Sequence, residues 1–233
     1  MFNRSRDGSF LVSGSNPKTD RWVVTAEVDL PIIRTVRIEA LADKSLKKRG
    51  PGRANSGNFA LTDLRIFAKP SGTKGKGKPV RMIKPMSNFP QKNGKSSAAL
   101  AIDNKPAETG WLSEGTINTD QLGKDHACLF AFSEPVVNKE GTVFTFELDY
   151  LHQNRPDNGQ QTIGRPRFSV SSSPLPPLDG NSVRSEFISI IKTVQKGGGA
   201  ESLDSVEILE LVQKYKSIDP MWIAMKSKFL GHE

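Results

Sequence analysis

Cysteine is almost absent from this sequence, and Cys128 is the only one among 233 residues. A single cysteine excludes an intrachain disulfide and any metal site that is built from several cysteines. Cys128 lies in the apolar stretch 127–132, which has the composition of a strand. We therefore expect a buried, unreactive thiol rather than a nucleophile.

Long hydrophobic runs are absent as well. No segment approaches the roughly 20 apolar residues that a membrane-spanning helix requires, so membrane insertion is not expected. Residues 1–7 lack the apolar core of a signal peptide. The sequence therefore carries no readable targeting signal, and we expect Met1 to be a start inside a longer protein.

The sequence also offers few residues for catalysis. Of its three histidines, His126 begins a predicted strand and His152 lies beside a loop rich in Asn and Gln. Neither has another histidine or a cysteine at the spacing of a metal site, and no serine and acid are specified that would complete a hydrolytic triad. These patterns indicate a binding or interaction module rather than an enzyme.

Acidic residues are outnumbered, with 25 against 33 basic ones, which gives a net charge of +8 and a pI near 9.6. This balance favours polyanionic partners such as sulfated or uronate glycans, nucleic acid or anionic surfaces, and a solvated basic surface is the alternative. The lysine-rich segment 69–84 lacks the interleaved aromatic residues on which single-stranded nucleic acid stacks. It also matches no nucleic-acid-binding motif, so we expect nucleic acid not to be a partner.

Alternation of apolar and polar residues is the main structural signal in the first 173 residues. The segment 142–150, for example, places Phe144, Phe146 and Leu148 on one parity, which is typical of a half-buried antiparallel strand. Turns rich in Gly, Pro and Asn separate such segments, and the Gly/Lys-rich stretch 69–79 is predicted to be a mobile surface loop. The pattern predicts a mainly β fold, an antiparallel sandwich over 1–173 with about eight short strands. The predicted strands are 9–13, 22–28, 35–41, 59–68, 80–86, 126–132, 142–150 and 167–171.

Apolar residues recur at helical spacing after residue 174. Val183, Phe187 and Ile190 start this pattern, glycines 197–199 end the first helix, and Pro220 suits the first turn of another. The segment 174–233 is therefore predicted to form two to three helices. We interpret it as a C-terminal appendage that links the sandwich to a further domain or docks against one.

Two stretches carry a family resemblance. They are Gly50-Pro51-Gly52-Arg53-Ala54 with Gly57-Asn58-Phe59, and Ala101-Ile102-Asp103 with Thr109-Gly110-Trp111. With shorter matches over nearly the whole chain, they resemble the module between the cytochrome-c-associated and C-terminal domains of large multidomain proteins of planctomycetes and related bacteria. The resemblance implies an exported, periplasmic or cell-surface protein with a discoidin-like, galactose-binding-type jelly roll. Such jelly rolls often bind glycans through rim loops and hold a structural calcium.

The calcium expectation depends on Asp103 and Glu108, whose carboxylates are the hard oxygen ligands that Ca²⁺ prefers. The alternative is an Asx-turn at Asp103. The chain departs from the family pattern here, because residues 104–107 lack its glycine and include Lys105, which would repel a cation. A second departure, Pro166, predicts that its strand lies at a sheet edge. No other cofactor is expected.

Arg53 and Asn58 are the candidate ligand contacts of the glycine-rich loop 50–58. The guanidinium of Arg53 can pair bidentately with a carboxylate or sulfate, with neighbouring backbone N–H groups forming a nest. The alternative is an internal salt bridge that fixes the loop. The acids considered for it are Asp63, Glu108 and Glu114.

Trp111, His152 and Asn154 complete the candidate ligand-binding residues. Trp111 can stack on a sugar ring, and the alternative is a place in the core. The Asn- and Gln-rich loop that holds His152 and Asn154 can hydrogen-bond sugar hydroxyls, and the alternative is a plain solvated loop.

The sequence thus predicts a non-catalytic, carbohydrate-binding type of accessory module, with anionic or sulfated glycans as the favoured ligands. The alternative is a structural spacer that docks neighbouring domains of a larger protein and has no free ligand. The apolar stripes of the predicted C-terminal helices favour that alternative.

Overall fold

The structure, a computed structural model, describes residues 1–89, 97–105, 109–113, 122–153 and 159–174, together with 176 and 178. Its described part is mainly β, and its only helical elements are two short 3-10 segments, Lys47–Arg49 and Ala98–Ile102. The strands are β1 Phe2–Arg4, β2 Phe10–Val12, β3 Asp20–Val28, β4 Ile32–Ala40, β5 Ala60–Leu61, β6 Asp63–Pro70, β7 Lys78–Pro79, β8 Met82–Ser87, β9 Trp111–Leu112, β10 His126–Val137, β11 Thr142–Tyr150 and β12 Pro166–Ser171.

Two four-stranded antiparallel sheets form the body of the fold. The front sheet has the order β3-β11-β6-β7 and the back sheet the order β12-β4-β10-β8, with the small pairs β1-β2 and β5-β9 beside them. The sheets pack on one hydrophobic core. Ring contacts join them at Phe132–Phe144 (6.1 Å between centroids) and Phe146–Phe168 (5.2 Å). The predicted antiparallel β-sandwich is confirmed, while its jelly-roll assignment stays a prediction.

The alternation in the sequence sorts side chains between core and surface. On β11, Phe144, Phe146 and Leu148 are buried, while Thr145 and Glu147 between them face outward and are half-buried. Each buried side chain of this size stabilises the fold by about 2 kcal/mol relative to an exposed one. β12 lies at the edge of the back sheet, as Pro166 predicted.

The predicted strand 59–68 is interrupted at Thr62. The Thr62 hydroxyl donates to the carbonyl of Asp149 (2.8 Å) and accepts the N–H of Leu151 (3.1 Å). On one side of this break β5 pairs with β9, and on the other β6 pairs with β11. The single strand predicted from the sequence is therefore divided into β5 and β6, which belong to two different sheets.

The segment 69–79, predicted to be a loop, is partly strand. β6 continues to Pro70, and β7 pairs with it through Phe67↔Pro79 and Ala68↔Lys78. Lys76 pairs with Glu147 at 2.5 Å, and its ammonium lies 3.8 Å from the centre of the Phe67 ring. The lysines of this hairpin are therefore partly held by specific contacts.

β10 is longer than predicted and is irregular in its second half. Its pairing with β4 shifts register between Ala131 and Val136, and Ser133 donates its N–H to the carbonyl of Arg81 (2.9 Å). Pro135 lies inside this irregular stretch.

Cys128 is fully buried, and burial raises the pKa of its thiol well above the usual value. The prediction of a buried thiol is confirmed. The helices predicted over 174–233 lie outside the described residues, apart from positions 174, 176 and 178.

Candidate functional site

Arg53 anchors the glycine-rich loop to the segment between β2 and β3. Its Nη2 donates to the carbonyl of Gly14 (2.7 Å), and its backbone N–H donates to the carbonyl of Thr162 (2.9 Å). Asn16 donates in turn to the carbonyl of Arg53 (3.2 Å). Burial lowers the pKa of Arg53, although the charge of Asp20 opposes this. Arg53 fixes the loop through a backbone carbonyl. Of the acids named for a salt bridge, Asp63 binds Arg65, while Glu108 and Glu114 lie outside the described residues, so that alternative stays a prediction.

Two of the candidate ligand residues are buried. Trp111 is only 1% exposed, and its ring lies 4.7 Å from that of Phe59, centroid to centroid. Asn58 is buried beside Ser113, whose hydroxyl lies 3.4 Å from the Asn58 Oδ1. The ring of Trp111 is not presented at the surface, so its placement fits the core alternative.

The remaining candidates do not form a common site among the described residues. His152 is half-buried, and Asn154 lies outside the described ranges. Asp103 accepts the N–H of Lys105 at its Oδ1 (2.8 Å), which is the Asx-turn of the alternative interpretation. Glu108 lies outside the described ranges as well.

The structural calcium stays a prediction, because Glu108, one of its two expected ligands, is not among the described residues. No group of three or more His, Cys, Asp or Glu side chains among them lies close enough to hold a metal ion. The buried carboxyl group of Asp63 has one oxygen without a hydrogen-bond partner, but its other oxygen is bound by Arg65 at 2.6 Å. The carboxylate of Asp63 is therefore already paired with a cationic side chain.

A cluster of charges crosses the outer face of the front sheet, and sequence analysis did not find it. Asp149 on β11 is fully buried and accepts from Arg21 Nη2 (2.9 Å) and Arg65 Nη2 (2.8 Å). Burial alone would raise the pKa of Asp149, but the hydrogen bonds from the two arginines outweigh it, and the pKa is lowered. Since the arginines neutralise the carboxylate, the cluster is suited to holding strands together rather than to acid–base chemistry.

A groove of about 670 Å³ opens between the β6-β7 hairpin and the irregular half of β10. Its apolar lining comes mainly from Val80, Val136 and the neighbouring prolines 79 and 135. The lining residues are Ala68, Lys69, Pro70, Thr73, Gly77, Lys78, Pro79, Val80, Arg81, Ser133, Glu134, Pro135, Val136, Val137 and Asn138. We call this the edge groove, because β7 is an edge strand of the front sheet and β8, which follows Arg81, is an edge strand of the back sheet.

Basic side chains predominate in the edge groove. Lys69, Lys78 and Arg81 line it, and Glu134 is the only acid among its described lining residues. Lys78 and Arg81 are exposed, whereas Lys69 is half-buried and donates to the carbonyl of Thr73. The described lining contains no His or Cys. The arrangement can bind an anion and cover apolar surface, but it supplies no paired acid and base.

A second hollow of about 510 Å³ extends the edge groove between β6 and β8. It shares Pro79, Val80 and Arg81 with the groove and adds Arg65 and Asn104. The hollow lengthens the groove along the open side of the sandwich, while Arg65 itself is already paired with Asp63, Glu147 and Asp149. The added length suits an extended ligand better than a compact one.

An exposed apolar patch adjoins the groove at its other end. Val137, which lines the groove, is 58% exposed and pairs in register with Ile32, which is also exposed. Leu30 is exposed nearby in sequence, and Asn138 donates its N–H to the carbonyl of Pro31 (3.0 Å). This patch is a candidate surface for protein contact.

No protein-family model, curated protein or solved structure matches the chain. In the part of the chain that the structure describes, no helix is long and apolar enough to cross a membrane.

Proposed function

We propose that this chain is a non-catalytic binding module that takes anionic carbohydrate in its edge groove. The proposal includes a galactose-binding-like jelly-roll topology and service as an accessory domain of a larger exported protein. The observation that carries it is the groove of about 670 Å³ with Lys69, Lys78 and Arg81 along it and one opposing acid, Glu134. Ligand sites commonly have volumes of about 300–1,000 Å³.

The chemistry of the lining favours sulfated or uronate sugars over neutral ones. A guanidinium such as Arg81 matches the two oxygens of a carboxylate or sulfate, and lysine ammonium groups add charge without demanding geometry. The apolar lining at Val80 and Val136 suits the C–H face of a sugar ring. Neutral sugars usually need an exposed aromatic platform, and the groove lining has no aromatic residue among those described.

The test is a titration with sulfated, uronate and neutral oligosaccharides at low and high salt, on the wild type and on Lys78→Glu with Arg81→Glu. We expect salt-sensitive binding of the anionic ligands by the wild type and a loss of about tenfold or more in the double variant. Lys44→Glu is the matched control, since Lys44 is an exposed lysine of the basic loop 43–58 and does not line the groove. Its effect on affinity should be small.

Two results would overturn this assignment. If no anionic glycan binds at low salt, the chain has no such ligand. If Lys44→Glu abolishes binding while the groove variant leaves it unchanged, the basic loop 43–58 is the site instead of the edge groove.

A structural spacer that docks neighbouring domains is the second candidate function. It is favoured by the exposed pair Ile32 and Val137 beside the groove. Apolar side chains in such a pair gain free energy when a partner surface covers them. The failure of every glycan titration, together with binding of an adjacent segment of the longer protein, would support this role.

A further inference from the structure

Four strands lie at the edges of the two large sheets, and one of them lacks any feature that blocks further pairing. β7 contains Pro79, β8 contains Pro85 and β12 begins with Pro166. Proline removes a backbone donor and is a common device against edge-to-edge association. β3 has neither proline nor lysine nor glycine in its nine residues, Asp20–Val28.

β3 is also regular along its whole length. All nine of its residues pair with β11 in one continuous antiparallel register, from Asp20↔Tyr150 to Val28↔Thr142, without a bulge. No described strand pairs with its other edge. Val24, Ala26 and Val28 point toward the core but are only half-buried, as expected where no neighbouring strand covers them. On the outer face Val23 is 61% exposed.

Two copies of β3 are complementary to each other when they lie side by side in an antiparallel arrangement. A two-fold axis at Val24 brings Arg21 opposite Glu27 and Val23 opposite Thr25, and each pair occurs twice. Opposite charges and β-branched residues directly across two strands are favourable pairs. Because paired positions have the same parity, outward residues meet outward residues and the two cores remain on the same side.

The charge cluster of the front sheet continues into this arrangement. Arg21 binds Asp149 on its own sheet, yet its side chain is 58% exposed and has donors to spare. Glu27 is exposed and makes no ion pair with any described residue. In the pair, each Arg21 lies between Asp149 of its own sheet and Glu27 of the second copy.

We propose that β3 is a self-association site, at which two copies of this chain join their front sheets by antiparallel β3–β3 pairing centred on Val24. The inference does not depend on the proposed carbohydrate ligand. Addition of one strand to another supplies main-chain hydrogen bonds but buries less area than a permanent dimer interface. The dimer is therefore concentration-dependent.

Sedimentation velocity of the full chain over a wide concentration range tests the proposal. The wild type should shift from monomer to dimer, and Glu27→Arg should weaken the dimer about tenfold or more, because two Arg–Arg contacts replace two Arg–Glu contacts. Arg21→Glu should do the same. An equimolar mixture of these two variants should recover the dimer, since each contact between positions 21 and 27 then joins one arginine to one glutamate.

Glu134→Arg is the matched control, because it makes the same change of charge in the edge groove rather than on β3. Circular dichroism and thermal melting of each variant distinguish loss of the dimer from loss of the fold, which matters most for Arg21→Glu since Arg21 binds Asp149. A folded wild type that stays monomeric at every concentration would overturn the proposal. So would a dimer that Glu27→Arg leaves unchanged.

A cysteine variant tests the register independently of charge. Directly opposed residues of antiparallel strands have Cα atoms about 4.5–5.5 Å apart, within the range of a disulfide. Val23→Cys with Thr25→Cys should form a cross-linked dimer under mild oxidation, while either single variant should not. Cys128 is buried and does not compete. Cross-linking by the single variants to the same extent would contradict the register centred on Val24.

Discussion

Asp149 is the residue through which the front sheet is held together on its outer face. It lies on the middle strand β11 and binds Arg21 from β3 and Arg65 from β6. Its neighbour across the sheet, Asp63, shares Arg65 with it. The pKa values of the two acids shift in opposite directions, because burial raises the pKa of Asp63, whereas the hydrogen bonds from the arginines lower that of Asp149.

Asp149→Asn is expected to lower the free energy of unfolding by about 2 kcal/mol near neutral pH, since Arg21 loses its carboxylate partner and Arg65 keeps only Asp63 and Glu147. The value is below that of a fully buried pair because Arg21 is more than half exposed. A lowered folded-state pKa contributes stability above the ordinary value of 3.8, and that stability is lost as the pH falls through the folded-state pKa. Urea unfolding should therefore show a large difference in the free energy of unfolding between Asp149→Asn and the wild type near pH 7. Well below pH 4 the difference should be small.

Glu140→Gln is the control for Asp149→Asn, because Glu140 is exposed and makes no ion pair with a described residue. It should leave unfolding unchanged at both pH values. A difference between Asp149→Asn and the wild type that stays constant down to low pH would contradict the ion-pair explanation.

Strands were predictable from the sequence wherever one face is buried and the other is not. β11 was predicted with the bounds that the structure has, because Phe144, Phe146, Leu148 and Tyr150 all fall on one parity. β4 was predicted for the same reason, with Val36, Ile38 and Ala40 in the core. The alternation of buried and exposed residues depends only on neighbouring positions in the chain, so the sequence alone is enough to find it.

Features that depend on distant partners were not predictable. Thr62 breaks its strand by bonding to Asp149, which is 87 residues away in the chain. Arg53 reaches a carbonyl 39 residues earlier, at Gly14, so sequence analysis found its importance but not its partner. The edge groove requires the β6-β7 hairpin and the irregular half of β10 to meet. Its sequence signals were the lysines and prolines of segment 69–79 and the single Pro135 in β10.

The glycine-rich loop gives a prediction at the scale of an element. A Cβ at Gly52 would lie 1.7 Å from the carbonyl oxygen of Asn58, which is backbone and cannot move aside. Gly52→Ala should therefore destabilise the domain by roughly 2–4 kcal/mol. Gly72→Ala is the matched control, because a Cβ there meets nothing within 4 Å and only its positive φ of +76° opposes the substitution. Its cost should be about 1 kcal/mol.

Thermal melting or urea unfolding of the two alanine variants measures this difference. Equal stabilities of Gly52→Ala and Gly72→Ala would mean that loop 50–58 adjusts its backbone, and the loop would then not be the rigid framework that Arg53 and Asn58 suggest.

At the scale of the whole molecule, the two proposed surfaces lie at opposite edges of the front sheet. β3 is its first strand and β7, which contributes Lys78 to the groove, is its last. Pairing of β3 with a second copy would join two four-stranded sheets into one continuous sheet. The two edge grooves would then lie at its far ends and remain open. A long anionic polymer could occupy both grooves at once.

Glu27→Arg is therefore expected to weaken binding of a long sulfated polysaccharide while leaving unchanged the binding of a short sulfated oligosaccharide that reaches only one groove. Once one groove holds the polymer, the second meets it at a high effective concentration, and the gain is commonly about a hundredfold or more. Titrations with chains of graded length, at a protein concentration where the wild type is dimeric, measure this gain.

The double variant Lys78→Glu with Arg81→Glu should weaken binding of both ligands, because it removes positive charge from the groove without changing β3. An equal loss of both ligands in Glu27→Arg would mean that the substitution disturbs the groove rather than the dimer. Affinity that does not grow with chain length in the wild type would contradict the two-groove arrangement.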